Sequence, residues 1–363
     1  MTQIDAAVIG AGVSGLASAR ALASRGRSVC LLERHARAGL DTSTHNSGVV
    51  HAGMYYPAGT LKAQLCVDGR RRLYDFCRTH RVPHRRCGKL IVAHDAAECG
   101  QLEALKARGD ANGVEGLEIV NRAFIDAHEP ASAGVAALWS PETGIVAAED
   151  LVAALLRDGA AAGVMFLPGT RVIAAEATSN GIDLTTPRET IRARVVVNAA
   201  GLYADEVSRL LGGERFTIYP CRGEYAALTR AKWDLVRGLV YPLPAEHSLG
   251  VHAVKTVAGE VWLGPTARFQ EAKDDYEGDR LPVEAFVEAA MRLLPSVTRA
   301  DLRLGGSGIR AKIHPPTQRF ADFMIRRDTV NPFIVQAAGI ESPGLTACLA
   351  LGDLVARLVD EAL

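Results

Sequence analysis

The chain has no excess of charge of either sign: 41 Lys and Arg stand against 41 Asp and Glu, for a formal net charge of zero. That balance excludes the broad basic surface that nucleic acid or an anionic membrane selects, so any charge that matters for function has to be local. Paired cysteines are missing too. Cys30, Cys66, Cys77, Cys87, Cys99, Cys221 and Cys348 are scattered, odd in number and form no C-x-x-C pair. Neither a zinc site nor a disulfide framework is indicated, and reduced thiols in a cytoplasmic protein are expected. No apolar run reaches the roughly 18 uninterrupted residues that a spanning helix needs. The apolar opening, Ile4 to Ala23, lacks a basic start and carries Gly10, Gly12, Gly15 and Arg20, which suits a folded segment better than a leader. Internal repeats and low-complexity tracts are absent.

What remains is an ordinary globular composition, 48% hydrophobic and 23% charged over 363 residues, long enough for two domains around a sizeable core. Asp5–Ile9 reads as a strand, Gly10–Gly15 as a turn, Leu16–Ser24 as a helix and Ser28–Glu33 as a second strand, one β-α-β unit. Helices are expected over Leu61–His80, Ala97–Arg108, Glu149–Ala162 and Ala347–Val359, and buried strands over Lys89–Ala93, Arg194–Ala199 and Phe333–Gln336. Alternating segments between Thr217 and Gly264, broken by Pro220, Gly223, Pro242, Pro244 and Gly259, suggest an antiparallel sheet. The run Arg70-Arg71-Arg72 reads as a solvated helix face. Parallel-type pieces at the start, middle and end, with antiparallel material between, fit two interleaved domains.

Chemistry enters at Gly10-x-Gly12-x-x-Gly15, placed after a strand and at the mouth of a helix. There the first glycine permits the turn, the second admits a pyrophosphate to the backbone and the third lets helix and strand pack closely. Val13 and Ser14 begin the helix, whose free amides and partial positive charge face the phosphates. Glu33, about 20 residues on at the end of the second strand, is placed to accept from ribose hydroxyls, with Arg34 beside it. These features indicate a dinucleotide; on their own they leave flavin and nicotinamide open.

The stretch Thr42-Ser43-Thr44-His45-Asn46-Ser47-Gly48-Val49-Val50-His51-Ala52-Gly53-Met54-Tyr55-Tyr56 resembles the second flavin-contacting segment of the D-amino-acid-oxidase superfamily of FAD enzymes. Within it the chain is most similar to the L-2-hydroxyglutarate oxidases and dehydrogenases. The similarity continues through Leu61-Lys62-Ala63, Asn198-Ala199-Ala200-Gly201-Leu202, Arg222-Gly223-Glu224-Tyr225, Tyr241-Pro242-Leu243-Pro244, Leu249-Gly250-Val251-His252 and Gly264-Pro265, nearly the whole chain. Two segments depart from the expected pattern, Gly339-Ile340-Glu341 and Ala253-Val254-Lys255, and both are expected near the substrate.

The resemblance implies an α/β fold in which an FAD-binding Rossmann-like domain, residues 1–80, 142–215 and 305–363, is interleaved with an antiparallel-sheet (α+β) substrate domain, residues 81–141 and 216–304. It implies FAD as cofactor and hydride removal from a small 2-hydroxy acid, with Thr42, Ser43, His45, Asn46, Ser47, Gly48, Val49, Ala200 and Gly201 among the flavin contacts. Such chemistry requires a base, a carboxylate clamp and donors toward the flavin. Gly344, Leu345 and Thr346, opening the last helix, are the expected donors. Arg310, in a Gly-hydrophobic-Arg segment, is the expected clamp, because a guanidinium fork matches a carboxylate. His51 and His252 compete as base, and His45 is a candidate for a covalent bond to the flavin. Alternatives are an amino-acid or amine oxidase and a glycerol-3-phosphate-dehydrogenase-like enzyme. More distant ones are a nicotinamide dehydrogenase and a flavin-binding protein without turnover. The electron acceptor, whether oxygen, a quinone or an electron-transfer protein, is left open by the sequence.

Overall fold

A computed structural model describes residues 3–244 and 250–363; Leu249, part of one motif quoted above, lies outside them. The first strand, Gln3–Ile9, shows why the fold begins as it does. Its side chains alternate, Ala6 and Val8 entering one apolar cluster while Ala7 and Ile9 enter another, the pattern of a strand covered on both faces. It pairs in parallel with Val29–Leu32 on one side and Thr190–Asn198 on the other. Ile334–Ala338 then adds in parallel beyond Thr190–Asn198, completing the centre of an eight-stranded sheet.

One face of this sheet is covered by helices Val13–Ala23, Leu61–His80, Ala148–Ala161 and Gly344–Asp360. Leu22, Leu73, Leu151, Leu155, Leu351 and Val355 are fully buried there, each such side chain contributing about 1.5–3 kcal/mol by leaving water. The last helix lies so close to the first that a Cβ on Gly352 would sit 2.6 Å from the Ala17 backbone.

The second sheet has nine strands, among them Lys89–Ala93, Tyr219–Leu228, His252–Lys255 and Leu302–Lys312. Its described pairs are antiparallel save one, Leu239–Pro242 beside Lys89–Ala93. A small third sheet joins Val49–Val50, His84–Arg85 and Gly144–Val146. No helix among the described residues is long and apolar enough to cross a membrane.

Two local expectations need correction. The strand Leu302–Lys312 pairs with Tyr219–Leu228 along almost its whole length, so a boundary at 305 falls inside a continuous strand of the second sheet. Its sequence, LRLGGSGIRAK, has no clean apolar alternation to announce it. Arg70, assigned to a solvated face, is 1% exposed and donates to Glu115, whereas Arg71 and Arg72 do face solvent. A helical turn spreads three successive residues over different faces, so one of the three must point toward the protein.

Candidate active site

The dinucleotide turn is built on close approaches. Gly10 adopts φ +103°, and a Cβ on Gly15 would lie 1.9 Å from the Gly10 carbonyl oxygen, so neither position admits a side chain without moving backbone. Gly12 flanks the helix Val13–Ala23, and no side chain of the described residues caps that helix through Gly12. Glu33 is buried; it accepts from the Ala11 amide at 2.8 Å and from the His35 amide at 2.9 Å, so it also holds the turn in shape. Arg34 turns aside to Asp41 at 3.1 Å and lies over the Tyr203 ring at 3.8 Å.

Beside this turn lies a cavity of about 540 Å³ drawing residues from both large sheets, within the ~300–1,000 Å³ usual for ligand sites. Gly12, Val13 and Ser14 line it from the turn; Thr42, Ser43, His45, Asn46, Ser47 and Val49 from the following loop; and Gly201 from the end of the strand Thr190–Asn198. Gly10, Gly15, Glu33, Arg34, Gly48 and Ala200, though expected at the cofactor, are not part of this lining. The loop is knitted by its own polar groups. Asn46 Nδ2 donates to the Thr42 and Ser43 carbonyls, Ser43 Oγ accepts from the Val13 amide, and the Thr42 hydroxyl donates to the Ile309 carbonyl of the opposite sheet. His45 Nδ1 donates to the Asp41 carbonyl at 2.9 Å, and its ring sits 4.4 Å from that of Tyr276.

Gly344, Leu345 and Thr346 line the opposite wall at the start of the last helix. The Thr346 hydroxyl is fully buried and accepts from the His51 amide at 3.0 Å, tying that helix to the histidine. His51 Nε2 lies 3.2 Å from Ser342 Oγ, and its Nδ1 has no hydrogen-bond partner among the described residues. Burial, reinforced by the Lys89 charge, lowers its pKa to about 3. His252 stacks on Tyr241 at 3.7 Å, and its Nδ1 must donate to the Gly250 carbonyl at 3.0 Å, which leaves Nε2 as the lone-pair nitrogen. Burial likewise holds its pKa well below the usual imidazole range. Both rings line the cavity and both are neutral at pH 7, the form a base requires.

Arg310 reaches the same cavity from the strand Leu302–Lys312. Its Nη1 and Nη2 donate to the Thr266 carbonyl at 3.1 and 3.2 Å and Nη1 also to Cys221 Sγ at 3.9 Å, which fixes the guanidinium at its tip and leaves the Nε side open to a ligand. Gly223 on the neighbouring strand makes room, since a Cβ there would lie 2.8 Å from Arg310 Nη2. Arg222, next door in sequence, points away and is buried against Glu224 at 3.1 Å and the Asp275 and Asp279 carbonyls.

Sequence reasoning missed several groups at or near the site. Tyr55, Tyr56, Tyr225 and Tyr241 line the cavity, as do Lys62, Lys312, Glu341 and Ser342. Most lie in quoted motifs, but nothing local says which way they point; Lys312 follows Arg310 by two on a strand, a spacing that does put both on one face. Lys89 is buried, its Nζ 3.0 Å from the Tyr55 hydroxyl and over the Tyr55 and Tyr241 rings, and burial lowers its pKa to about 7. Of the two departing segments, Ile340 and Glu341 do border the cavity, whereas Ala253 and Val254 belong to apolar cores and Lys255 bonds the Trp233 carbonyl.

A strand-turn-helix packed on glycines, a second loop clamped to the helix start and across to the other sheet, and a cavity between them make up a flavin-dinucleotide oxidoreductase. Closely packed glycines at the phosphate turn and the cavity of about 540 Å³ beside it fit the group. The chain belongs to the FAD dependent oxidoreductase family, whose model matches residues 5–358, and FAD is its cofactor. Among relatives, L-2-hydroxyglutarate dehydrogenase, mitochondrial, of Arabidopsis thaliana is 34% identical, over 98% of this chain and 83% of its own. The Homo sapiens protein of the same name is 31% identical over 99% and 89%. L-2-hydroxyglutarate dehydrogenase of Indibacter alkaliphilus is 29% identical over 96% of both. Of solved structures, the dithionite-reduced L-alpha-glycerophosphate oxidase from Mycoplasma pneumoniae with FAD bound superposes with a TM-score of 0.89 at 26% identity, covering 99% of this chain and 95% of that one. Glycine oxidase from Geobacillus kaustophilus shares the fold, with a TM-score of 0.84 at 22% identity over 99% and 95%.

Proposed function

We propose that this protein oxidises a small 2-hydroxy acid, L-2-hydroxyglutarate foremost, by hydride transfer from the hydroxyl-bearing carbon. The observation that carries this reading is Arg310, a carboxylate-matching fork that opens on the same cavity as two neutral histidines. The relatives' names supply the substrate. When bound, FAD supplies the two-electron acceptor.

The chain's own residues do the rest. Arg310 holds the carboxylate beside the reacting carbon and so fixes its orientation. His51 or His252 takes the hydroxyl proton, His252 through Nε2 and His51 beside the Ser342 hydroxyl. The amides of Gly344, Leu345 and Thr346, at the positive end of a helix bordering the cavity, would favour negative charge on a cofactor bound there. Gly12, Val13 and Ser14 would hold the phosphates and the loop from Thr42 to Val49 the flavin, with Glu33, bracing the turn from outside the cavity lining, toward the ribose side. The two sheets support a division into an FAD lobe and a substrate lobe, the last crossing moved from 305 to about 313 so that the strand Leu302–Lys312 stays whole. The seven free cysteines support a reducing, cytoplasmic setting.

The test is anaerobic. L-2-hydroxyglutarate should bleach the visible absorbance of the oxidised flavin, and D-2-hydroxyglutarate, glycine and glycerol 3-phosphate should not. Bleaching by glycerol 3-phosphate alone would replace this reading with the one favoured by the glycerophosphate oxidase likeness.

A further inference from the structure

The cavity is electrically lopsided in a chain whose formal net charge is zero. Lys62, Arg108, Arg310 and Lys312 line it, against Glu341 as the one acidic side chain among the described residues there. Glu341 is itself engaged: its Oε1 accepts from Lys62 Nζ at 2.9 Å, and its Oε2 lies 2.9 Å from Lys312 Nζ. The side chains of Lys62, Lys312 and Glu341 are only 4%, 15% and 9% exposed. One carboxylate between two ammonium groups leaves an excess positive charge where little water can offset it. Such a charge is unfavourable until an anion meets it.

The cluster is also held in place. Asp322 accepts from the Leu61 and Lys62 amides at 2.7 and 2.9 Å, fixing the first turn of the helix that carries Lys62. The Lys62 ammonium faces the Phe320 and Phe323 rings at 5.2 and 5.4 Å, which orients it without neutralising it. Lys312 stands two residues beyond Arg310 on one strand, both lining the cavity, with backbones about 6.6 Å apart by strand geometry. Ser342, next to Glu341, reaches His51 at 3.2 Å, so cluster, clamp and histidine border one space. Each ammonium has three donors, and Glu341 occupies one on each.

We propose that Lys62 and Lys312, bridged by Glu341, bind the distal carboxylate of a dicarboxylic substrate, while Arg310 binds the carboxylate beside the reacting carbon. Glu341 fixes the two ammonium groups and trims their charge to one, so that a single carboxylate completes the site. The proposal rests on the Arg310 assignment and the substrate reading made above and adds the residues that would select a second carboxylate.

Glutarate and its monoamide 4-carbamoylbutyrate, matched in shape but differing by one charge, separate the possibilities because neither has a hydroxyl to oxidise. Calorimetric titration of the FAD-loaded protein at pH 7.5 should find glutarate bound roughly tenfold to a hundredfold more tightly, the worth of one charge-assisted contact. Lys312→Met should weaken glutarate by that factor, leave 4-carbamoylbutyrate within about twofold and leave FAD content unchanged. Equal binding of the two ligands by the wild type, or binding of neither, overturns the proposal whether or not the variant folds. So does a Lys312→Met protein that weakens both ligands alike, or one that loses FAD while keeping the preference for glutarate. Glutarate preference without flavin bleaching by L-2-hydroxyglutarate would sink the proposed reaction and keep the subsite; bleaching without the preference would do the reverse.

Discussion

Arg310→Ala separates the clamp from the scaffold. A guanidinium has five N–H donors; one from each terminal nitrogen goes to the Thr266 carbonyl and the second on Nη1 points to Cys221 Sγ at 3.9 Å, which leaves Nε and the second donor of Nη2 for a carboxylate. Losing a charge-assisted bidentate contact removes about 1.5–3 kcal/mol, which at 1.4 kcal/mol per decade is roughly tenfold to a hundredfold in kcat/KM. The Thr266 carbonyl loses its donors as well, at about 1 kcal/mol of stability, and that loss belongs in the melting temperature and not in the kinetics. Anaerobic stopped-flow reduction across a range of substrate concentrations reads the first effect, and thermal unfolding with flavin absorbance reads the second. If the contact is equally strong before and during reaction, the loss falls on apparent affinity; if it sets the carbon over the cofactor, the limiting reduction rate falls too. Arg310→Lys should recover only part of the loss, since it restores charge without the fork. A variant that reduces at the wild-type rate at low substrate refutes the assignment. Arg222 then offers no substitute, because its guanidinium is buried among Glu224 and two backbone carbonyls.

Gly15→Ala should yield folded but colourless protein or none at all, because the added Cβ meets the Gly10 carbonyl at 1.9 Å and the turn must open; an alanine variant with full FAD content would show that the turn is not the phosphate seat. The pH profile of flavin reduction should lack the acidic limb near ~6.5 that an ordinary imidazole gives. Burial lowers the pKa of both histidines, that of His51 to about 3, so the neutral, proton-accepting form persists as pH falls past the ordinary imidazole range and the rate declines only as pH passes through the lowered pKa. His51→Ala and His252→Ala, measured separately, identify the base as the one whose removal slows reduction and abolishes that low-pH decline; a wild-type limb at ordinary imidazole pH contradicts the burial argument.

Much of the molecule could be read from residues alone where one segment meets one constraint. The helix Leu61–His80 and the strand Lys89–Ala93 were legible to the residue because apolar spacing and flanking Gly88 leave few alternatives. Gly10, Gly12 and Gly15 announced the dinucleotide turn, since each glycine answers a local steric demand. The strand Leu302–Lys312 escaped notice because it is rich in glycine and charge, and only pairing with Tyr219–Leu228 gives it a reason to be extended. Arg70 looked like its neighbours and is buried, since the face a helix turns inward is chosen by what packs against it.

For the site the division is similar. The sequence by itself marked the glycine turn, because its geometry is a property of a short segment, and resemblance to a family pointed to the loop from Thr42 to His51 and to Arg310 as residues worth testing. Tertiary structure alone decided that Glu33 braces the turn through the Ala11 amide, that Arg34 turns to Asp41 and that Arg222 is buried against Glu224 while Arg310, anchored on the Thr266 carbonyl, lines the cavity. It alone joined Lys62, Lys312 and Glu341, residues from a helix, a strand and a loop separated by up to 279 positions in the chain. Desolvation and charge proximity act through space, so pKa values, ion pairs and the sign of a cavity's field become defined only once the chain has folded.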